Sequence, residues 1–487
     1  MNSDIEKFIK GESKNSFSYF GAHKVSDGVC FRVYAPHAKE AEVSVLDKNY
    51  KMNRIDFRGV FEARVKEVRE FDYYHYELLT NDNVWVNKND PYTFYNENNK
   101  SVFLDDEEYD FNDEKWLTKD KEIEYFNGCL LKENFNMDEQ RDFVEYLKKY
   151  NYNYLIIKPY DDKHLFSVNK MFINESSLKR FIDNLHQVNI GVIFDFDLDS
   201  FYDYQEGLND FDGGSVYNKE EEKYNGVNRI YFDYNKNHTK SYILSFINYY
   251  LDKFHGDGLY TNDNEDIKEI IKEFDDKLVI YKGNENASNH ASSNYLDKII
   301  ENVNGNFDHK DFLANEICND TYIVCDYNEC LNKIKGSESH RHEVARILLA
   351  SCYICNAYSI TVYNNDETYL KALKPLTDVY KNTRCLYNKA KSNLLLNGKK
   401  NRYFAYEYSS KNDYIVTLVN YGELEDEKFD LGMPYYGYYK LILDTKTNEG
   451  SEELYYTRNK KIHNKEIAIK TGIKPYQMLV FRRMRDI

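Results

Sequence analysis

GDGLYTN, residues 256–262, reads as a short buried strand that opens on two glycines around an acid and closes on an amide. Residues 239–254 before it, TKSYILSFINYYLDKF, repeat their apolar side chains at the helical period. A helix that runs straight into a buried strand is half of a βαβ unit. The same alternation recurs on both sides. NYLIIKPY (153–160), IGVIFDFDL (190–198), KLVIYKG (277–283) and TYIVCDY (321–327) are strand-like, while 137–150 and 175–188 carry helical spacing. Strands alternating with helices predict a parallel sheet. About 260 residues, 125–390, suffice for one (β/α)₈ barrel of TIM type, full or shortened, with its functional face at the strand C-termini.

Outside that block the period changes to two. GVCFRVYAP (28–36), AEVSVLD (41–47), GVFEARV (59–65) and YYHYELL (73–79) alternate apolar and polar residues between turn signals. They predict an immunoglobulin-like β-sandwich over 18–105, after a helical lead-in at 1–17. The polar segment 106–124 reads as a linker. NRYFAYEYSS (401–410), NDYIVTLVNYG (412–422), YYKLILDT (438–445) and QMLVFRRM (477–484) predict a second β-sandwich over 395–487. The fold class is therefore multidomain, α/β with flanking all-β domains. No internal repeat of fixed period is present.

The chain has 487 residues and a net charge of −17, which disfavours nucleic acid and anionic membrane surfaces as partners. No apolar run nears the roughly 18 residues of a membrane span, and the polar start, MNSDIEKFIKGESKN, lacks a signal-peptide h-region. The eight cysteines are scattered, which fits reduced thiols in the cytoplasm. Cys352 and Cys355 lie in ARILLASCYICNAY, which reads as a buried helix and not a metal site. No cofactor or metal is expected, and no glycine-rich phosphate loop occurs. His340, Arg341 and His342 read as solvated surface, and the EEEK run at 220–223 as a charged loop. Tyrosine is abundant, 47 residues beside two tryptophans. Aromatic faces stack on sugar rings, but most of these tyrosines are read as the product of coding bias.

Several ordered stretches resemble one family. Residues 5–23, 28–46, GVFEA (59–63) and KNDPYTFYNE (88–97) are similar to the N-terminal module of bacterial glycogen branching enzymes. Residues 185–217 look like that family's barrel strand with its following loop, and 231–259 like the helix and strand that bring in its nucleophile. FDLGMPYYGYYKLILDT (429–445) resembles its C-terminal sandwich. The match is collinear and covers nearly the whole chain, which is identified as a member of the 1,4-α-glucan branching enzymes within the α-amylase superfamily.

The resemblance implies a retaining double displacement on α-glucan. One carboxylate attacks the anomeric carbon and a second acts as acid and then base, about 5–5.5 Å away. In the family the nucleophile follows D-G-L-R-V. Here Asp257-Gly258-Leu259 leads to Tyr260 at the arginine position and Asn262 at the nucleophile. An amide offers no anionic oxygen, and a guanidinium that orients carboxylates is lost. Asp263 is one residue on, so it points to the other face of the strand unless a bulge turns it back. The acid/base position falls on Lys282, cationic near neutral pH; Glu285, three residues later, is a substitute if it swings in. The third acid aligns with Asn328, with Asp326, Tyr327 and Glu329 around it. A register moved by two would put Asp326 there instead.

Asp195 is retained, which in the family supports the site structurally, and Ser200 replaces a sugar-binding histidine. Residues 158–177 have no clear equivalent of the family's S-W-G-Y segment. Phe211, Asp212, Tyr260 and Tyr327, with Asp195 and Ser200, are the candidate sugar contacts, as are aromatic residues of the N-terminal sandwich. The preferred reading is a non-catalytic homologue that binds α-glucan or a partner enzyme of glycogen metabolism. The alternatives are an active transferase or hydrolase using Asp263, Glu285 and Asp326, and a structural interaction protein that binds no sugar.

Overall fold

The computed structural model describes all residues except 1, 106–108, 120–124, 133–134, 224–227, 284–288, 306–321, 356, 388–390, 399–401, 412 and 485–487. Eight parallel strands follow one another around a closed barrel: β1 (Asn127–Leu130), β2 (Tyr154–Ile157), β3 (Gly191–Phe196), β4 (Gly258–Asn262), β5 (Leu278–Lys282), β6 (His290–Ser292), β7 (Tyr322–Cys325) and β8 (Tyr358–Val362). The full strand set is present. The helices numbered with it are α1 (Gln140–Lys149), α2 (Glu175–Gln187), α3 (Asn237–Lys253), α4 (Glu265–Ile271), α5 (Asn294–Val303), α6 (Tyr327–Lys333), α7 (Glu338–Tyr353) and α8 (Glu367–Lys381).

The chain divides into two compact units. The first comprises 1–118, 133–140 and 157–279; the second comprises 119–132, 141–156 and 280–487.

In the first unit, two antiparallel sheets form the N-terminal sandwich, built on strands such as Gly28–Tyr34, Glu40–Val45, Val60–Val65 and Tyr73–Leu79. Inward residues Phe31, Val33, Val43, Phe61 and Leu78 are buried, as the period-two pattern requires. Asp90 lies inside this core. Its carboxylate accepts from the Tyr74 hydroxyl (2.8 Å), the Tyr76 hydroxyl (3.1 Å) and the Tyr92 N–H (2.9 Å). Burial outweighs these three donors and pushes the carboxyl up to about 6. The sign follows: the fold holds the proton more tightly than the open chain does. This group's contribution is therefore greatest below about pH 4 and declines as pH rises through 6. Asp90→Asn, whose amide can donate to the two tyrosine oxygens, is expected to flatten the slope of melting temperature against pH between 4 and 6. Thermal unfolding followed by near-UV circular dichroism checks this.

The linker expectation is corrected here. Residues 109–118 are docked on the barrel. Asp183 on α2 accepts from the Asn112 N–H (3.0 Å) and the Tyr109 hydroxyl (3.2 Å). His186, at the end of α2, sets one ring nitrogen against Asp113 (2.7 Å) and the other against Asp257 (3.0 Å). Asp257 also accepts from Trp116 Nε1 and the Val192 N–H, both at 2.8 Å. Asp113, His186 and Asp257 are all buried. Asp257 thus ties the start of β4 to the start of β3. The next residue must be glycine, because a Cβ on Gly258 would lie 2.3 Å from the Leu278 carbonyl oxygen.

Between β3 and α3 the chain forms a three-stranded sheet in the order Ser200–Tyr202, Arg229–Phe232, Asn218–Lys223. The EEEK run is part of the last of these strands and not a loop.

In the second unit, the C-terminal sandwich packs a six-stranded sheet on a three-stranded one, with Leu418, Leu431, Met433, Ile469, Leu479 and Phe481 in its core. Cys352 and Cys355 are buried thiols, and every cysteine among the described residues is free and buried. His340 and His342 are half-buried, correcting their reading as solvated surface: His342 Nδ1 bonds the Tyr327 hydroxyl (3.1 Å) and the His340 ring meets Tyr476.

The largest fully buried side chains among the described residues are all tyrosines. Their hydroxyls donate to backbone carbonyls, as Tyr242 does to Pro91 (3.0 Å), Tyr250 to Leu165 (3.1 Å) and Tyr380 to Ala357 (3.1 Å). No helix among the described residues is long and apolar enough to cross a membrane.

Candidate functional site

In the first unit, the C-terminal ends of β3 and β4 lie side by side, with Asp195 in register with Tyr260. Register partners share a face of the sheet, so the phenol stands beside the carboxylate. Burial, then the charge of Asp195, raises the Tyr260 phenol well above its ordinary range, so it stays protonated. One pleat on, the Asn262 Oδ1 accepts from the Leu198 N–H (3.1 Å). An amide oxygen held by backbone in this way is a fixed acceptor and not an attacking group.

Asp263 follows one residue past the end of β4. It pairs with Lys268 on α4 (2.7 Å), and Lys268 is raised in turn, first by that bond.

Ser200 is buried. Its hydroxyl accepts from Arg229 Nε (2.8 Å) and its carbonyl from Arg229 Nη2 (2.9 Å). The same guanidinium meets Asp197 (2.6 Å) and Asp162 (3.3 Å), and Lys158 meets Asp162 (2.6 Å). Arg229, Asp197 and Asp162 were not anticipated. The available signal was the pair of acids at the strand end, Asp195 within β3 and Asp197 one residue past it.

Phe211 and Asp212 are fully buried and so stand away from any ligand in solvent. Phe211 packs edge-on to Tyr217. Asp212 accepts from the His37 N–H (2.7 Å) and meets His37 Nδ1 (2.9 Å), which fastens the loop after β3 to the N-terminal sandwich.

In the second unit, Lys282 ends β5, half-buried and in register with Ala291. Glu285 lies outside the described residues. Asp326 caps α6, accepting from the Glu329 N–H (3.1 Å), and pairs with Lys132 (2.5 Å). Asn328 accepts from Asn364 Nδ2 (3.1 Å), and Glu329 pairs with Lys333 (2.7 Å). Tyr327 is buried against Tyr369, not presented to solvent. Among the described residues, Asp263 and Asp326 are each bound to an ammonium, and no cluster of three His, Cys, Asp or Glu side chains could hold a metal.

The N-terminal sandwich carries a groove of about 670 Å³ lined by Phe71, Tyr73, His75, Asn87, Asn98 and Lys100, among others. Phe71 and Tyr73 are 61% and 43% exposed. Phe71 sits at φ 70°, a left-handed conformation that a phenylalanine rarely adopts, and Leu46, Asp47, Asn98 and Asn99 on the same walls are also left-handed. Turn backbones hold these walls, with aromatic faces next to amide donors and acceptors. Such a surface suits a neutral, polyhydroxylated ligand.

Residues 1–92 match the family model of the N-terminal domain of the alpha-1,4-glucan branching enzyme GlgB. The chain is 30% identical over 300 residues to the 1,4-alpha-glucan branching enzyme GlgB of Francisella philomiragia, covering 53% of this chain and 47% of that one. It is 27% identical over 347 residues to the GlgB of Francisella tularensis subsp. mediasiatica, covering 62% and 54%. The chain spans about half the length of these curated relatives. Among solved structures, the catalytic module of the glycogen-degrading pneumococcal virulence factor SpuA superposes with a TM-score of 0.71 at 13% identity, covering 99% of this chain and 98% of that one. A pullulanase from Anoxybacillus, complexed with maltotetraose, gives 0.70 at 12% identity, covering 96% and 87%. The fold is that of these solved structures, and the sequence is similar to the branching enzymes.

Proposed function

We propose that this relative of the 1,4-α-glucan branching enzymes binds α-glucan and has lost glycosyl transfer. One observation carries the reading. The strand-end position that aligns with the family nucleophile holds Asn262, with its amide oxygen committed to the Leu198 N–H. The neighbouring acid, Asp263, is paired with Lys268 on α4. Ser200, aligned with a sugar-binding histidine, is enclosed by Arg229. Binding needs stacking faces and hydroxyl partners but no nucleophile, and the groove at Phe71 and Tyr73 offers both. The free, buried cysteines suit a reducing compartment, and we place the protein in the cytoplasm, where a working enzyme of glycogen metabolism is its candidate partner.

Affinity electrophoresis in glycogen-containing gels tests the binding half. Retarded migration is expected, and Phe71→Ala with Tyr73→Ala should weaken it by about tenfold, one aromatic anchor's worth. Unretarded migration of the native protein contradicts the reading and favours a structural protein that binds no sugar.

A second reading, an active glycosyl-transferring enzyme, draws on Asp162 and Asp197, two carboxylates that meet the same guanidinium. If they act as a displaced acid pair, Asp197→Asn abolishes an activity that the native protein must first display on amylose.

A further inference from the structure

We propose that the C-terminal sandwich carries a second docking site for α-glucan chains, built on Tyr435, Tyr436, Tyr438 and Tyr456. The inference rests on the α-glucan reading above and adds a site to it. Tyr435, Tyr436 and Tyr456 are 49%, 63% and 66% exposed, a concentration of bare aromatic surface on one edge of one domain. The rings are fixed in place. The Arg483 guanidinium lies over the Tyr435 ring (5.0 Å), and Tyr414 meets that ring edge-on (4.9 Å). The Tyr436 hydroxyl donates to Asn459 Oδ1 (2.9 Å). Tyr438 and Tyr456 are register partners across strands Tyr438–Asp444 and Leu454–Tyr456, with ring centroids 5.9 Å apart. Tyr439 points into the core, so strand alternation turns Tyr438 outward.

Gly437 holds the two segments together. Its N–H donates to the Thr457 hydroxyl (3.0 Å) and its carbonyl accepts from the Thr457 N–H (3.0 Å), at a φ of 129° that suits glycine. A platform already ordered loses little entropy when a ligand lies on it.

The chemistry of the platform selects the occupant. The exposed rings of Tyr436 and Tyr456, beside hydroxyls, the Asn459 amide and the guanidinium that covers Tyr435, match a pyranose, which has C–H faces and a hydroxyl rim. Neighbouring charges are of both signs and paired, Arg458 and Lys460 with Asp430 and Lys440 with Glu452, so no single-sign field invites an acidic or basic peptide. A second copy of this chain, at a net charge of −17, is repelled.

The test uses the full chain in glycogen-gel electrophoresis. Tyr436→Ala with Tyr456→Ala should weaken retardation by about tenfold, the loss of one aromatic anchor. Tyr436→Phe, which keeps the ring, should retain most of it. Both positions are exposed, so melting temperature should not move. Unchanged retardation of the double variant, beside a retarded native protein, overturns this site and leaves the N-terminal groove standing. An unretarded native protein overturns both. Concentration-dependent dimers that the double variant abolishes, seen in analytical ultracentrifugation, overturn it by giving the face to a second copy.

Discussion

Asp257→Ala is expected to lower the unfolding free energy of the first compact unit by about 3–5 kcal/mol, the range for breaking a buried ion-paired group. At the usual sensitivity of domains of this size the melting temperature falls by roughly 6–20 °C. The reason is local and countable. One carboxylate satisfies Trp116 Nε1, the Val192 N–H and a nitrogen of His186, and all three donors are left buried without it. His186 also meets Asp113 (2.7 Å) through its other ring nitrogen, so losing Asp257 cuts the link that runs from Asp113 through the ring to β4. Asp257→Asn keeps the shape and one acceptor oxygen, and should cost less than half as much. Urea unfolding of the three proteins measures the order. A loss under 1 kcal/mol for the alanine variant would show that the network merely coexists with the fold.

The second large effect concerns chemistry. Restoring a single acid, by Asn262→Asp or by Lys282→Glu, is expected to yield no branching of amylose above background. Retaining transfer requires a nucleophile and an acid/base partner together. A well-placed acid/base group is worth about 10²–10⁴-fold by itself, and it has nothing to assist where no nucleophile attacks. Asn262→Asp also leaves Tyr260 where the family has an arginine, and a carboxylate at 262 inherits the Leu198 N–H as a partner. Full turnover in either single variant would mean that the remaining groups are competent as they stand. The idea of a dismantled site would then fail.

The barrel was legible because burial on both faces gives its strands continuous apolar runs. IGVIFDFDL at 190–198 contains β3, which drops Ile190 at its start and Asp197 and Leu198 at its end, and the helical spacing at 239–254 corresponds to α3, which starts two residues earlier at Asn237. What escaped the sequence depends on partners far along the chain. Asp113 and Trp116 sit in a stretch that is polar on average, and its partners Asp183, His186 and Asp257, far along the chain, turn it from a linker into a docked segment. Phe211 and Asp212, as loop residues, and Tyr327, by alignment, are candidate sugar contacts in the sequence, yet they are buried against Tyr217, His37 and Tyr369. The strand at 218–223 was read as a loop because its charges obscure the period. Asn262 is placed at the nucleophile position by the family resemblance of Asp257-Gly258-Leu259, and its Oδ1 bond to the Leu198 N–H is a feature that no spacing could supply.

Incubation of the native chain with amylose is the most direct measurement. Asn262 and Lys282, proposed to occupy the two reacting positions, predict unchanged iodine staining and no new α-1,6 anomeric signal by proton NMR. A fall in staining accompanied by α-1,6 linkages would contradict this account.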